Sequence, residues 1–158
     1  MCETGEQWFA LLAKEQRDVL FARASRRNVK AGTLVVRGGA AADELYVVIS
    51  GKLRSADFRR AARAVTFETL GPDQVFGEIA LFAGGTRSAD IEAEEDCELL
   101  VLRRPEVLLA MRQEPEIATA LLQAMAETIV RLREAREASE DVAPAGAASG
   151  ARHRSLEE

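Results

Sequence analysis

A mainly β fold, a sandwich or jelly-roll barrel with flanking α-helices, is what this sequence predicts. Short β-branched or apolar runs recur at close spacing between residues 33 and 102, with glycine-bearing turns between them. Two longer apolar-periodic segments follow, each with a proline in its first turn. A chain of 158 residues makes one domain, large enough to bury about two-thirds of its unfolded surface.

In chain order, Gln7 to Arg27 reads as a helical segment, its apolar stripe supplied by Phe9, Leu12, Val19, Leu20 and Ala24. Trp8, the only tryptophan, is expected to pack under that helix. Thr33-Leu34-Val35-Val36 is a short strand stopped by Gly38-Gly39, and Leu45-Tyr46-Val47-Val48-Ile49 is the strongest strand signal, closed by Ser50-Gly51. Lys52 to Ser55 continues the sheet, and Asp57 to Arg63, with Arg59, Arg60 and Arg63, reads as a solvated hairpin loop. Val65 to Leu70 alternates as a strand, after which Gly71-Pro72-Asp73 turns the chain. From Asp90 to Glu94 acids alternate with small apolar residues, which turns Asp90 outward, and Glu98 to Leu102 is the last strand. Glu106 to Gln113 and Pro115 to about Glu137 are the closing helices. In the second of them Leu121, Met125, Thr128, Leu132 and Ala135 form a seam that can cover the barrel or dimerise. The domain is thus expected over residues 1–137, with a helical segment at 6–28, the barrel at 32–103 and helices at 105–137. Residues 138–158, rich in Ala, Gly and Ser, read as a flexible tail.

The stretch from Phe76 to Asp90 has the parts of an anion site. If Gly77 to Phe82 form a short helix, its first N–H groups lack intrahelical partners and its dipole end is positive. A glycine there lets a ligand approach the backbone. Gly84-Gly85 permits a reversal that brings Arg87 across the helix start, where a guanidinium can grip two phosphate oxygens. Glu78, itself an anion, is suited instead to accept a hydrogen bond from a sugar hydroxyl. Together these groups suit a sugar phosphate.

The run Phe76-Gly77-Glu78-Ile79-Ala80-Leu81, followed after a short interval by Arg87-Ser88-Ala89, resembles the phosphate-binding cassette of cyclic nucleotide-binding domains. That is the family of bacterial catabolite activator proteins and of the regulatory subunits of cAMP-dependent protein kinase. The resemblance implies a double-stranded β-helix with N-terminal helices, a short cassette helix and two C-terminal helices. It implies Glu78 on the ribose 2′-hydroxyl and Arg87 on the cyclic phosphate. Backbone N–H groups near Gly77, Ile79 and Ala80, with Ser88, would complete the cradle. A second family motif is matched from Gly39 through Asp43, Leu45 and Tyr46 to Gly51, with Ala40 and Ala41 in place of the usual Asp-Pro. Thr86 stands where proline is common and Asp90 where a small residue is common. Phe67 has two roles open to it, a wall for the purine and core packing. The final helix of the family covers the base and in several members dimerises.

Other function classes fit poorly. A net charge of −5, from 21 Lys and Arg against 26 Asp and Glu, argues against general nucleic-acid binding. No helix-turn-helix pattern follows Glu137, so no DNA-binding domain is expected. A histidine-held metal centre is not expected either, since His153 in the tail is the only histidine, and no serine or cysteine has a base beside it. Cys2 and Cys97 show no disulfide spacing, and no apolar run reaches the length of a membrane span. With acidic Glu3 and Glu6 where a secretory signal carries basic residues, a cytoplasmic protein is expected. The expected function is a regulatory sensor of cAMP, or alternatively cGMP, that is no enzyme and acts on an effector protein or domain. The competing expectation is a ligand-free module of the same fold that serves protein interaction, favoured by Thr86 and Asp90.

Overall fold

A computed structural model describes residues 8–57, 66–87 and 89–141. After a helical turn at residues 8–11 come α1 (Lys14–Arg23), β1 (Ser25–Val29), β2 (Leu34–Val36), β3 (Glu44–Ser50), β4 (Leu53–Asp57) and β5 (Thr66–Leu70). Then follow β6 (Val75–Phe76), the short α2 (Glu78–Ala83), β7 (Asp90–Ala93), β8 (Cys97–Arg103), α3 (Arg104–Gln113) and α4 (Pro115–Asp141). The strands form two four-stranded sheets in the orders β1-β8-β3-β6 and β2-β7-β4-β5, and every pairing is antiparallel. This is the expected fold class, drawn as two facing sheets.

The first sheet is covered on both faces, and its sequences say why. Side chains alternate across a strand, and in β3 and β8 both sets are apolar. Leu45, Val47, Leu100 and Leu102 face a helical layer with Trp8, Leu20, Val107, Ile117 and Leu121. Tyr46, Val48, Leu99 and Val101 face the second sheet, where they meet Val36, Leu53, Leu70 and Ile91. A strand buried on both faces reads as an unbroken apolar run, which explains the strength of the Leu45–Ile49 signal. In β7, by contrast, Ile91 and Ala93 are buried and Asp90 and Glu92 are half-buried, the alternation of a sheet with one wet face.

Three boundaries differ from expectation. The segment expected as one helix from Gln7 to Arg27 breaks at residues 12–13, and its main helix stops at Arg23. Ala24 is extended (ψ 152°), and Ser25–Val29 leaves the helix to pair with β8 from Ser25↔Val101 to Val29↔Cys97. Its exposed, charged residues suit an edge strand, but carry no alternation that would reveal one. Val75–Phe76, too short to show a period, forms β6 against Val47 and Tyr46. Finally, α4 runs on to Asp141. Residues 58–63 of the expected hairpin loop and residues 142–158 of the tail lie outside the described residues.

Trp8 is fully buried, and its indole Nε1–H donates to the Ile117 carbonyl at 3.0 Å, tying the N-terminal turn to the first turn of α4. Gln16 binds both the Ala13 N–H and Glu116, a second tie across the same junction. No described helix is long and apolar enough to cross a membrane.

Candidate functional site

The site is built where β6 gives way to α2. Gly77 caps that helix with φ +90°, a left-handed conformation that only glycine adopts without strain. Its carbonyl accepts the Leu81 N–H at 3.2 Å, so the first N–H groups of α2 are left over from the helix ladder. Ala80 is half-buried there and Ile79 is exposed.

Arg87 returns to this helix start. Although only 6% exposed, its guanidinium donates from Nη1 to the Gly77 carbonyl at 3.0 Å and from Nη2 to the Glu44 carbonyl. Its Cζ lies 5.8 Å from the centre of the Tyr46 ring. Both carbonyls are neutral, so the positive charge is buried without a counter-ion on those two bonds, which use two of the five N–H groups of the fork. The main chain of Arg87 is fixed as well: its N–H donates to Ala40 O at 2.9 Å and its carbonyl accepts the Gly39 N–H at 2.8 Å.

The two departures from the family pattern have defined places. Thr86 forms an isolated bridge with Ala41, so the turn is held by pairing where a proline would have stiffened it. Asp90, expected to face outward, is half-buried, and its Oδ1 accepts the Gly38 N–H at 2.6 Å. That carboxylate is aimed at the 38–41 loop.

Glu78 is 2% exposed at the first position of α2. Burial pushes its carboxyl up to about 7, while its own main-chain N–H and the Arg87 charge pull the other way. Between roughly pH 4.5 and 7 the folded chain holds a proton that the unfolded chain has released, so stability falls as pH rises through that window. Glu78→Gln is expected to flatten the fall and to melt above the parent at pH 8. The gain has an upper limit of about 3 kcal/mol. Melting temperatures of both proteins from pH 4.5 to 8 check this, and parallel curves would overturn it.

The structure therefore brings Gly77, Glu78, Ile79, Ala80 and Arg87 to one helix start. Ser88 lies outside the described residues, and of Phe67 only the backbone is described, in β5 opposite Ala56. Sequence reasoning missed Glu44 and Tyr46 at this site. Glu44 acts through its main chain, which no motif can reveal, and Tyr46 looks like any core residue of an apolar strand.

The chain is thus a two-sheet β domain with a short helix capped by a left-handed glycine and a buried arginine at that cap. The chain belongs to the cyclic nucleotide-binding domain family, whose model matches residues 26–114. It is 37% identical over 131 residues to the cyclic AMP receptor protein of Thermus thermophilus, covering 83% of this chain and 59% of that one. Among solved structures it resembles the N-terminal domain of a transcriptional regulator from Streptomyces coelicolor (31% identity, TM-score 0.69, 87% of this chain and 96% of that one). It also resembles the Thermus thermophilus catabolite activator protein (35% identity, TM-score 0.69, 85% of this chain and 62% of that one). The chain thus spans 59% of the length of this curated relative.

Proposed function

We propose that the chain is the sensing module of a regulatory protein and that its ligand is cAMP, with cGMP as the second choice. The observation that carries this reading is a guanidinium buried at a glycine-capped helix start, where two main-chain carbonyls use only two of its five N–H groups. In this reading the cyclic phosphate lies against Arg87, Ser88 and the main chain from Gly77 to Ala80, and Glu78 accepts a hydrogen bond from the ribose 2′-hydroxyl. The module binds and carries out no catalytic step. The likeness to the cyclic AMP receptor protein of Thermus thermophilus supports cAMP over cGMP. A ligand-free module is less favoured, because contacts to the 38–41 loop account for both Thr86 and Asp90.

Ligand capture acts by population shift: the phosphate draws α2 inward, and α4 moves to cover the base. The regulated effector is a partner protein or a further domain. A ligand that binds only the folded chain must stabilise it. At a concentration about a hundredfold above its Kd, cAMP is expected to add about 2.7 kcal/mol and to raise the melting temperature by several degrees. Calorimetric titration with cAMP and with cGMP tests the assignment. No heat and no melting shift with either nucleotide would refute it.

The seam expected along the last helix covers the chain's own barrel, so a homodimer through this helix would use a different stripe. Leu121 and Thr128 are buried, the Thr128 hydroxyl donating to Ala124 O at 2.9 Å. The large apolar residues of α4 left exposed are Leu122, Ile129, Val130 and Leu132, and with Met125, half-buried against the core, positions 122, 125, 129 and 132 recur at spacings of three, four and three. That is the spacing of a two-helix seam, and we assign it to a second copy of this chain. Sedimentation should find dimers, and Ile129→Lys should give monomers with unchanged helix content. A parent that is monomeric at high concentration would exclude the pairing.

A further inference from the structure

We propose that Tyr46 is a positioning residue for Arg87, setting the guanidinium in place through the cross-strand pair it makes with Phe76. The inference deepens the sensor reading and rests on it for its effect on ligand binding. Its structural core stands independently of any ligand.

Tyr46 of β3 lies opposite Phe76 of β6, and the two rings stack at 4.7 Å between centres with 10° between their planes. The two carbonyls that hold Arg87 belong to the immediate surroundings of this pair. Gly77 is the residue after Phe76, and Glu44 lies two positions before Tyr46 on the same strand. A shift of either ring therefore moves one of the acceptors. The ring also meets the guanidinium itself, at 5.8 Å from its centre, within the range of a cation–π attraction.

The ring has an anchor beyond packing. Its hydroxyl donates to Glu44 Oε2 at 2.5 Å, and Arg27 Nη2 of β1 reaches Glu44 Oε1 at 3.4 Å. Burial pushes the phenol up to about 12, with the Glu44 bond adding to the rise, so the hydroxyl stays a donor at any working pH. Burial also raises the Glu44 carboxyl, but the Tyr46 hydroxyl and Arg27 outweigh it and hold Glu44 ionised. A residue needed only to fill space between the sheets would use neither the hydroxyl nor the carboxylate. This chain runs from Arg27 on the sheet edge to Arg87 at the helix start.

Two readouts separate positioning from mere packing. With arginine side chains labelled with nitrogen-15, the Arg87 guanidinium of the ligand-free protein is assigned by its loss in Arg87→Lys, and its hydrogen exchange is followed. Tyr46→Leu is expected to speed that exchange about tenfold and to weaken cAMP binding by a similar factor, whereas Tyr46→Phe, which keeps the stacked ring, stays within about threefold of the parent. In the Arg87→Lys background, Tyr46→Leu should cost less than about twofold in affinity, because the group it positions is gone. Unchanged Arg87 exchange in a folded Tyr46→Leu protein, or an equal affinity loss in both backgrounds, overturns the proposal. Should Tyr46→Leu fail to fold, Phe76→Leu removes the other half of the pair and must speed the same exchange, or the proposal falls. If the parent binds neither nucleotide, the sensor reading fails while the exchange measurement still decides the role of Tyr46.

Discussion

Arg87→Ala is expected to weaken cAMP binding by about 2–5 kcal/mol, or between roughly thirtyfold and a few thousandfold in Kd. The size of the effect comes from where the charge sits. Arg87 is nearly inaccessible and its charge is met by carbonyl dipoles alone on its two bonds to the main chain. Such a group attracts an anion far more strongly than a solvated arginine would, since the surrounding medium screens it less. Its loss also takes one donor from the Gly77 carbonyl, which keeps the Leu81 N–H, and one from the Glu44 carbonyl, at about 0.5–1.5 kcal/mol of stability for each hydrogen bond removed. Affinity and melting temperature should therefore fall together. Arg87→Lys separates the two contributions: the charge survives, but an ammonium lacks the planar fork that can hold two carbonyls and still face a phosphate. Its affinity should lie between parent and alanine variant in isothermal titration. Parent-like binding by a folded Arg87→Ala protein would remove the arginine from the site.

The legibility of this chain was uneven, and particular residues show why. The strands buried on both faces, around Leu45–Ile49 and Leu99–Leu102, announce themselves because apolar content alone marks them. Edge strand β1 does not, because Ser25, Arg26, Arg27 and Asn28 are exposed and nothing in their pattern differs from a polar helix end. Its pairing is dictated by the free edge of β8, a long-range demand invisible to a local reading. The helix seam was legible as a cover for the barrel, since Leu121, Met125 and Thr128 do turn to the core, but not the second stripe beside it. Two periodic registers run along α4 one residue apart, and only the packed domain decides that Leu121 and Thr128 face inward while Leu122 and Ile129 face out. At the site, Gly77, Glu78 and Arg87 were readable because their chemistry resides in residue type and spacing. The contributions of Glu44 O, Ala40 O and the Gly38 N–H are main-chain contributions, and residue type does not encode them.

Gly77→Ala should be nearly as damaging as removing the arginine, although it adds a single methyl group. Two penalties combine. With φ at +90°, any side chain is strained by about 1–3 kcal/mol. A Cβ at this position would also stand 2.5 Å from Arg87 Nη1, 3.3 Å from its Cζ and 3.0 Å from the Glu44 carbonyl oxygen, which is backbone and cannot yield. The guanidinium must therefore leave its place, and affinity should fall at least tenfold along with the melting temperature. Gly84, at the other end of α2, supplies the control. It too is left-handed, at φ +71°, but a Cβ there meets nothing within 4 Å. Gly84→Ala should thus carry the backbone strain alone, lowering the melting temperature while leaving affinity within about twofold of the parent. Paired melting and titration experiments on the two variants isolate the contact with Arg87 from the strain of the backbone. Equal losses of affinity in both would mean that the helix as a whole, and not the fit between residues 77 and 87, governs binding.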